Sequence, residues 1–487
     1  RYAPPLISVV VFHRDLGSNK QKSSQETKGR ADMSKEIVLR NARLIDGTSD
    51  QPRDRVSIVM KDGRIASVTD GDGPAGAGAE IVDCSGKTVM SGLIDTHVHS
   101  TFMDRTDLVL FLAAGVTSAR DVGGRLDKVL RLRSQVTSGE VVGPRLYVYG
   151  PLLDGSDNSF APGEMGDMLD NIPNAAAAPA KINHFLDSGL DGIKVYFTMP
   201  PETVKAVIRA VDKRVPVTGH LGYTTAMQAI EYGIDGLEHM WISPYQDICS
   251  LEMRLAPGAS MTNRSFWTTT LKGWEEMNLQ APNAQAFFGA MVDKQVKMGT
   301  TLDLLWTAHA GLDGCLADPD RAYITAQGLH RQAAQNKKIK AGKSWDFHPG
   351  FWEVGEGRKA LDKQMDAVRI LHEKGGVIVG GTDCGGLAYP PPGFALLREV
   401  QLLAQAMGAM GALKAVTVGA SRALRREHEL GKVKPGYFAD LLVLDKDPSK
   451  DVRDLRSLSK VYRGGVAYDP RAILAARPVR DLEAIPA

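Results

Sequence analysis

His97 and His99, separated by one residue in Asp95-Thr96-His97-Val98-His99, follow an apolar run and are the first residues whose types and spacing could do chemistry. Along a strand, side chains two apart point the same way, so both imidazoles can face one side and take one metal ion. Two further histidines close similar short apolar runs: His220 in Val217-Thr218-Gly219-His220 and His239 in Leu237-Glu238-His239. Asp383 ends Gly380-Gly381-Thr382-Asp383, where a carboxylate could bind metal and take a proton from bound water. Lys194 lies in Asp191-Gly192-Ile193-Lys194-Val195-Tyr196. A buried ammonium beside cations is costly and tends to lose its proton, although by local sequence Lys194 could equally end a strand and reach solvent. Tyr196 has the parity to face the same side and hydrogen-bond a carbonyl or carboxylate; it could equally be a rim aromatic packed on a loop.

Side chains so far apart in sequence need a fold that delivers strand ends to one place. A (β/α)8 TIM barrel does this, because its catalytic groups come from strand C-termini. After Gly92, short apolar strands alternate with helical stretches, the pattern of a parallel α/β sheet. Eight barrel strands are expected: Leu93 to Val98, Gly115 to Val122, Leu146 to Gly150, Ile193 to Phe197, Pro216 to Leu221, Gly236 to Trp241, Thr301 to Trp306 and Val377 to Cys384. Amphipathic patterns at Glu202 to Val211 and Thr225 to Tyr232 supply helices between them. The segment His309 to Trp352 reads as helices and a loop over the mouth, a candidate lid. Trp241, Trp306, Tyr389 and Pro390 to Pro392 near strand ends suggest an apolar pocket.

Both ends of the chain read as strand. Ile37 to Ile45, Val56 to Met60, Ile65 to Val68, Ile81 to Cys84 and Thr88 to Met90 precede the barrel, and Ala439 to Leu444 and Val461 to Tyr468 follow it. Neither end is large enough to bury a core alone, so the two are expected to pair into one small β-sandwich domain. The resulting division is a flexible N-terminal extension over 1–33, sandwich parts over 34–91 and 426–487, and the barrel over 92–425.

Composition narrows the class. With 487 residues, 24% of them charged and a net charge of +2, the chain is a globular protein with no compositional case for nucleic acid or anionic membranes. Four cysteines lie far apart with no CxxC pair, which fits a reduced compartment and makes the cytoplasm the expected location. The apolar run Leu6 to Phe12 is too brief to span a bilayer, and no export signal is read.

An HxH pair on the first barrel strand, a lysine on the fourth, histidines on the fifth and sixth and an aspartate on the eighth together resemble the amidohydrolase superfamily. The stretches Gly92 to His99, Gly115 to Asp121 and Gly431 to Asp440 match its phrasing, and the resemblance covers nearly everything from Ser34 to Tyr468. Within it the sequence looks most similar to zinc-dependent prolidase and carboxypeptidase-like enzymes. That resemblance implies two divalent metal ions, zinc by expectation. His97, His99 and Asp383 would hold one and His220 and His239 the other, with Lys194 shared as a carbamate. Asp383 would take the proton of a metal-activated water and pass it to the leaving amine, and Tyr196 would contact substrate. Cys384 stands where the family often carries a small residue, so a nucleophilic thiol there is a minor alternative. The implied reaction is hydrolysis of an amide bond in a dipeptide or N-acyl amino acid by a homo-oligomer acting on small molecules. Lactone, carbamate or ester hydrolysis at the same site is an alternative. A one-metal imidazolonepropionase-like or deaminase-type enzyme, which generally lacks the bridging lysine, is a further alternative, and a non-catalytic scaffold is one against which the intact ligand set speaks.

Overall fold

The computed structural model describes residues 35–477 apart from 158, 160–165, 257, 262–263, 327, 331–332, 335–336, 338–354, 356 and 386–390. The expected N-terminal extension, residues 338–352 of the candidate lid together with 327, 331–332 and 335–336, and Tyr389 and Pro390 lie outside the described residues.

Five strands open the chain: β1 (Ile37–Ile45), β2 (Arg53–Lys61), β3 (Arg64–Asp70), β4 (Glu80–Asp83) and β5 (Thr88–Ser91). The barrel strands are β6 (Leu93–Val98), β7 (Val116–Asp121), β8 (Arg145–Val148), β9 (Leu152–Asp154), β11 (Ile193–Val195), β12 (Val217–Gly219), β13 (Gly236–Glu238), β14 (Lys297–Gly299) and β15 (Val377–Val379), with β10 (Leu169–Asn171) added outside β9. Three more, β16 (Leu441–Leu444), β17 (Leu458–Arg463) and β18 (Val466–Tyr468), return to the first group.

All barrel pairings are parallel, and the strands are buried on both faces, as expected where helices cover the outside. The third barrel position is shared by β8 and β9, broken at Gly150, which adopts φ 71°. Closure comes where the chain beyond β15 meets β6: Thr96 N donates to Gly380 O at 3.2 Å and His99 N to Cys384 O at 2.8 Å. Helix Pro201–Val211 starts on a proline, and helix Ala226–Tyr232 on a Thr225/Gln228 capping box, so local chemistry punctuates the α layer where the periodicity placed it.

One expected strand is elsewhere. The seventh is Lys297–Gly299, and Thr301 to Trp306, expected as strand, instead opens the helix Leu302–Leu316. A short apolar run fits either period, and here the helix continues well past the length of a barrel strand. Trp306 therefore sits on that helix with the Arg398 guanidinium 3.8 Å over its ring, rather than at a strand end.

The terminal strands form one sheet in the order β18-β17-β16-β5-β1-β2-β3, with β4 also on β1. It doubles back on itself: Arg64 bridges Phe438, and Gly436 N donates to Ile65 O at 2.8 Å. Leu39, Ile58, Ile65, Val89, Leu441 and Tyr462, drawn from both ends of the chain, close over one apolar cluster.

Candidate metal centre

All the expected site residues but Lys194 are near the C-terminal end of a barrel strand or just beyond it. His97 is within β6 and His99 directly after it; Lys194 is the middle residue of β11, His220 follows β12, and His239 follows β13. Asp383 lies on the chain that leaves β15 to close on β6.

The fold gathers all six. His99 Nε2 lies 3.0 Å and His97 Nε2 3.6 Å from Asp383 Oδ1. Lys194 Nζ is 3.1 Å from His97 Nε2. The His239 ring centroid is 4.5 Å from those of both His97 and His220. Ligand atoms of His97, His239 and Asp383 all lie within 4.8 Å of one another, so the two halves of the expected set adjoin. Tyr196 also faces in, its ring centroid 4.7 Å from that of His220.

The backbone is strained where this happens. His239 has φ 64°, Thr301 φ 47° and Asp383 φ 58°, left-handed values that cost a non-glycine residue about 1–2 kcal/mol. Those three residues leave consecutive barrel positions. For His239 the consequence is direct: strict alternation would send Glu238 and His239 to opposite faces, yet Glu238 reaches His97 at 2.8 Å and the His239 ring lies beside the same imidazole. The left-handed residue lets two neighbours both face the lumen.

The imidazoles are held from behind. His99 Nδ1 faces the Gly123 carbonyl at 2.8 Å and His97 Nδ1 faces Glu238 Oε2 at 2.8 Å, while His239 Nδ1 is 2.9 Å from Thr301 Oγ1. A carbonyl only accepts, so Nδ1 of His99 carries a proton, and the ring in its neutral form presents a lone pair at Nε2. Burial, then the charge of Lys194, holds His97 and His220 well below the usual imidazole range, and burial does the same for His239. Neutral His97 with its proton toward Glu238 likewise turns a lone pair inward.

Lone pairs of His97, His99 and Asp383 thus converge on one point. Asp383 Oδ1, though 3.0 Å from His99 Nε2, has no hydrogen-bond donor, and neither has buried His220 Nε2. Acceptors facing acceptors repel unless a cation lies between them, and a set of imidazoles and a carboxylate suits a divalent metal of the zinc kind.

Lys194 is 1% exposed, and burial pushes its amine down to about 8 against the pull of Glu238 and Asp383. About a tenth is then the free amine at pH 7, the form that could react with carbon dioxide.

A model of the amidohydrolase family matches residues 88–467. This chain belongs to the amidohydrolase family. It is therefore a hydrolytic enzyme, of a family that generally uses metal ions and acts on small molecules. An imidazolonepropionase of Geobacillus sp. (strain WCH70) is 24% identical to this amidohydrolase over 408 residues, 80% of this chain and 83% of the other. A Xaa-Pro dipeptidase solved with methionine in its active site superposes with TM-score 0.63 at 21% identity, covering 89% of this chain and 100% of the other. A prolidase complexed with N-methylphosphonate-L-proline does so with TM-score 0.64 at 18% identity, covering 89% and 99%. At these identities the superpositions establish the shared fold.

Sequence reasoning passed over three residues of this amidohydrolase that the site uses: Glu238, Arg120 and Thr301. Glu238 adjoins His239, and the alternation rule assigns it to the opposite face. Arg120 resembles any charge at a strand end, yet it is 2% exposed and donates to Glu238 Oε1 at 2.5 Å. Burial opposes its charge, and Glu238 and Tyr149 together more than restore it. Of the expected aromatics, Trp241 stands at the site, its ring 5.7 Å from His220 and backed by Trp267 at 4.5 Å. Cys384 is buried and its thiol is pushed well above the usual range by burial, so it is a poor nucleophile. No described helix is long and apolar enough to cross a membrane.

Proposed function

We propose that this amidohydrolase cleaves an amide bond of a dipeptide or N-acyl amino acid, using two divalent ions, zinc by preference. His97, His99 and Asp383 would hold one and His220 and His239 the other, with Lys194 shared as its carbamate. The observation that carries this reading is Lys194: a buried amine 3.1 Å from His97 Nε2, among four imidazoles and a carboxylate. An ammonium there is poorly placed, whereas an anionic carbamate between two divalent ions would have a favourable environment.

When bound, such ions acidify a water and polarise the substrate carbonyl. Asp383 accepts the proton and returns it to the leaving amine, one carboxylate oxygen facing the metal with His97 and His99 and the other left for the proton. Tyr196, beside His220, is placed to meet the substrate, and the Trp241 face closes that side against water. The likeness in fold to the Xaa-Pro dipeptidase and the prolidase supports a proline-type dipeptide substrate. Four free, buried cysteines fit a reducing compartment such as the cytoplasm.

The match to an imidazolonepropionase favours a second reading, a one-metal enzyme of that kind. Counting metal per chain and assaying the loaded protein on proline dipeptides, N-acyl amino acids, aryl amides and lactones separates them. Two metals with amide turnover support the first reading. One metal supports the second, and turnover of lactones alone removes the amide assignment.

A further inference from the structure

We propose that Glu238 is the positioning residue for the first metal: its bond to His97 Nδ1 sets the tautomer and aim of that imidazole and thereby the affinity of the His97/His99/Asp383 end. This rests on the two-metal reading above, but the role of Glu238 is observable without it.

Glu238 is 1% exposed and ends β13, its side chain turned inward against His97. Its Oε2 faces His97 Nδ1 at 2.8 Å, and its Oε1 accepts from Arg120 Nη2 and Thr218 Oγ1, each at 2.5 Å. The three donors stand on β6, β7 and β12, so the carboxylate has no second rotamer that keeps them. Arg120 is itself fixed, donating from Nε to Thr96 O and lying 5.2 Å from the Tyr149 ring centroid. Space is reserved as well: a Cβ on Gly299 of β14 would sit 2.6 Å from Glu238 Oε2. A carboxylate on Nδ1–H fixes the ring with Nε2 as the donor atom and makes that atom more basic, and removing such a partner typically weakens metal binding about 10–100-fold.

The competing account is a buried Arg120–Glu238 ion pair that merely fills the barrel. That account has truncation weaken both ends of the centre alike. Glu238→Gln separates the two, because one amide carbonyl cannot serve both His97 Nδ1 and Arg120. Glu238→Asp keeps the charge for Arg120 but is one methylene short of His97, and it stands in if the glutamine variant does not fold.

The test titrates full-length protein with Co2+ against a chelator, following visible absorption and metal content. The proposal expects the first binding constant to fall about 10–100-fold while the second holds, with activity recovering in excess Co2+. Equal loss at both ends, or no loss, overturns it. Independently, 15N-histidine spectra of the native chain, assigned with His97→Gln, must show the His97 proton on Nδ1. A proton on Nε2 overturns the proposal whatever the metal count. A single metal with His97 protonated on Nδ1 supports the role of Glu238 and sinks the two-metal reading instead.

Discussion

Asp383 and Lys194 carry the charge logic of the site, and each has a substitution that leaves its shape nearly intact. Asp383→Asn keeps one oxygen for a metal but cannot accept a proton. Its kcat/KM should fall by about 10²–10⁴-fold with metal content retained, and undiminished turnover would remove Asp383 from the mechanism. Lys194→Met keeps an unbranched side chain of similar length without a nitrogen. We expect metal content to drop toward one per chain and turnover to fall by more than about 100-fold; mass spectrometry of metals and steady-state kinetics read both. At this scale much was legible. All six ligand candidates were visible by residue type and by their place at the ends of apolar runs. Glu238, Arg120 and Thr301 were not, because their function is a contact with another strand rather than a local pattern.

Elements aim these side chains, and two of them can be tested. A Cβ on Gly123, just beyond β7, would lie 2.6 Å from His99 Cε1 and 2.7 Å from its Nδ1, while the carbonyl of the same glycine holds that ring. Gly123→Ala should displace His99, costing about 1–3 kcal/mol of stability and at least tenfold in kcat/KM; thermal melts and kinetics check the two separately. On the far side, Glu399 tethers the chain leaving β14, taking bonds from Thr300 Oγ1 at 2.5 Å and Asp303 N at 2.8 Å. Burial pushes its carboxyl from 4.5 up to about 8, so the folded chain holds this proton to higher pH than the unfolded chain does. Its contribution is full below about pH 4.5 and is lost as pH rises through about 8. Glu399→Gln can offer its amide to Thr300 and its carbonyl to Asp303 at every pH. The variant should therefore gain in melting temperature relative to the native chain as pH rises across that window; a constant gap would mean Glu399 does not titrate there.

The whole molecule is held together by its two ends. β16 pairs with β5 over Leu441–Ser91 to Leu444–Thr88, and alternate residues serve different cores: Leu441 and Val443 face the terminal cluster, Leu442 and Leu444 the barrel. Ion pairs Arg456–Asp320 at 2.6 Å and Arg477–Asp107 at 2.8 Å add further ties from the C-terminal segment to the barrel. A chain ending at Leu430 would expose the edge of β5 and one face of the barrel core. It should show no cooperative melt by circular dichroism and should aggregate on a sizing column. A sharp transition in that truncation would mean the barrel folds alone.

By itself, the sequence determined the class of architecture, the pairing of the two terminal strand regions and the identity of the convergent histidines, lysine and aspartate. These follow from periodicity and residue type, which are local properties. The three-dimensional fold alone decided where strand seven lies, because an apolar run of that length suits helix and strand equally. It also decided that His239, Thr301 and Asp383 adopt left-handed backbone, that Glu238 turns inward beside His239, and which nitrogen of His97 and His99 faces the centre. Those outcomes depend on contacts between strands distant in the chain, and no local pattern encodes a partner that only closure of the barrel brings within 3 Å.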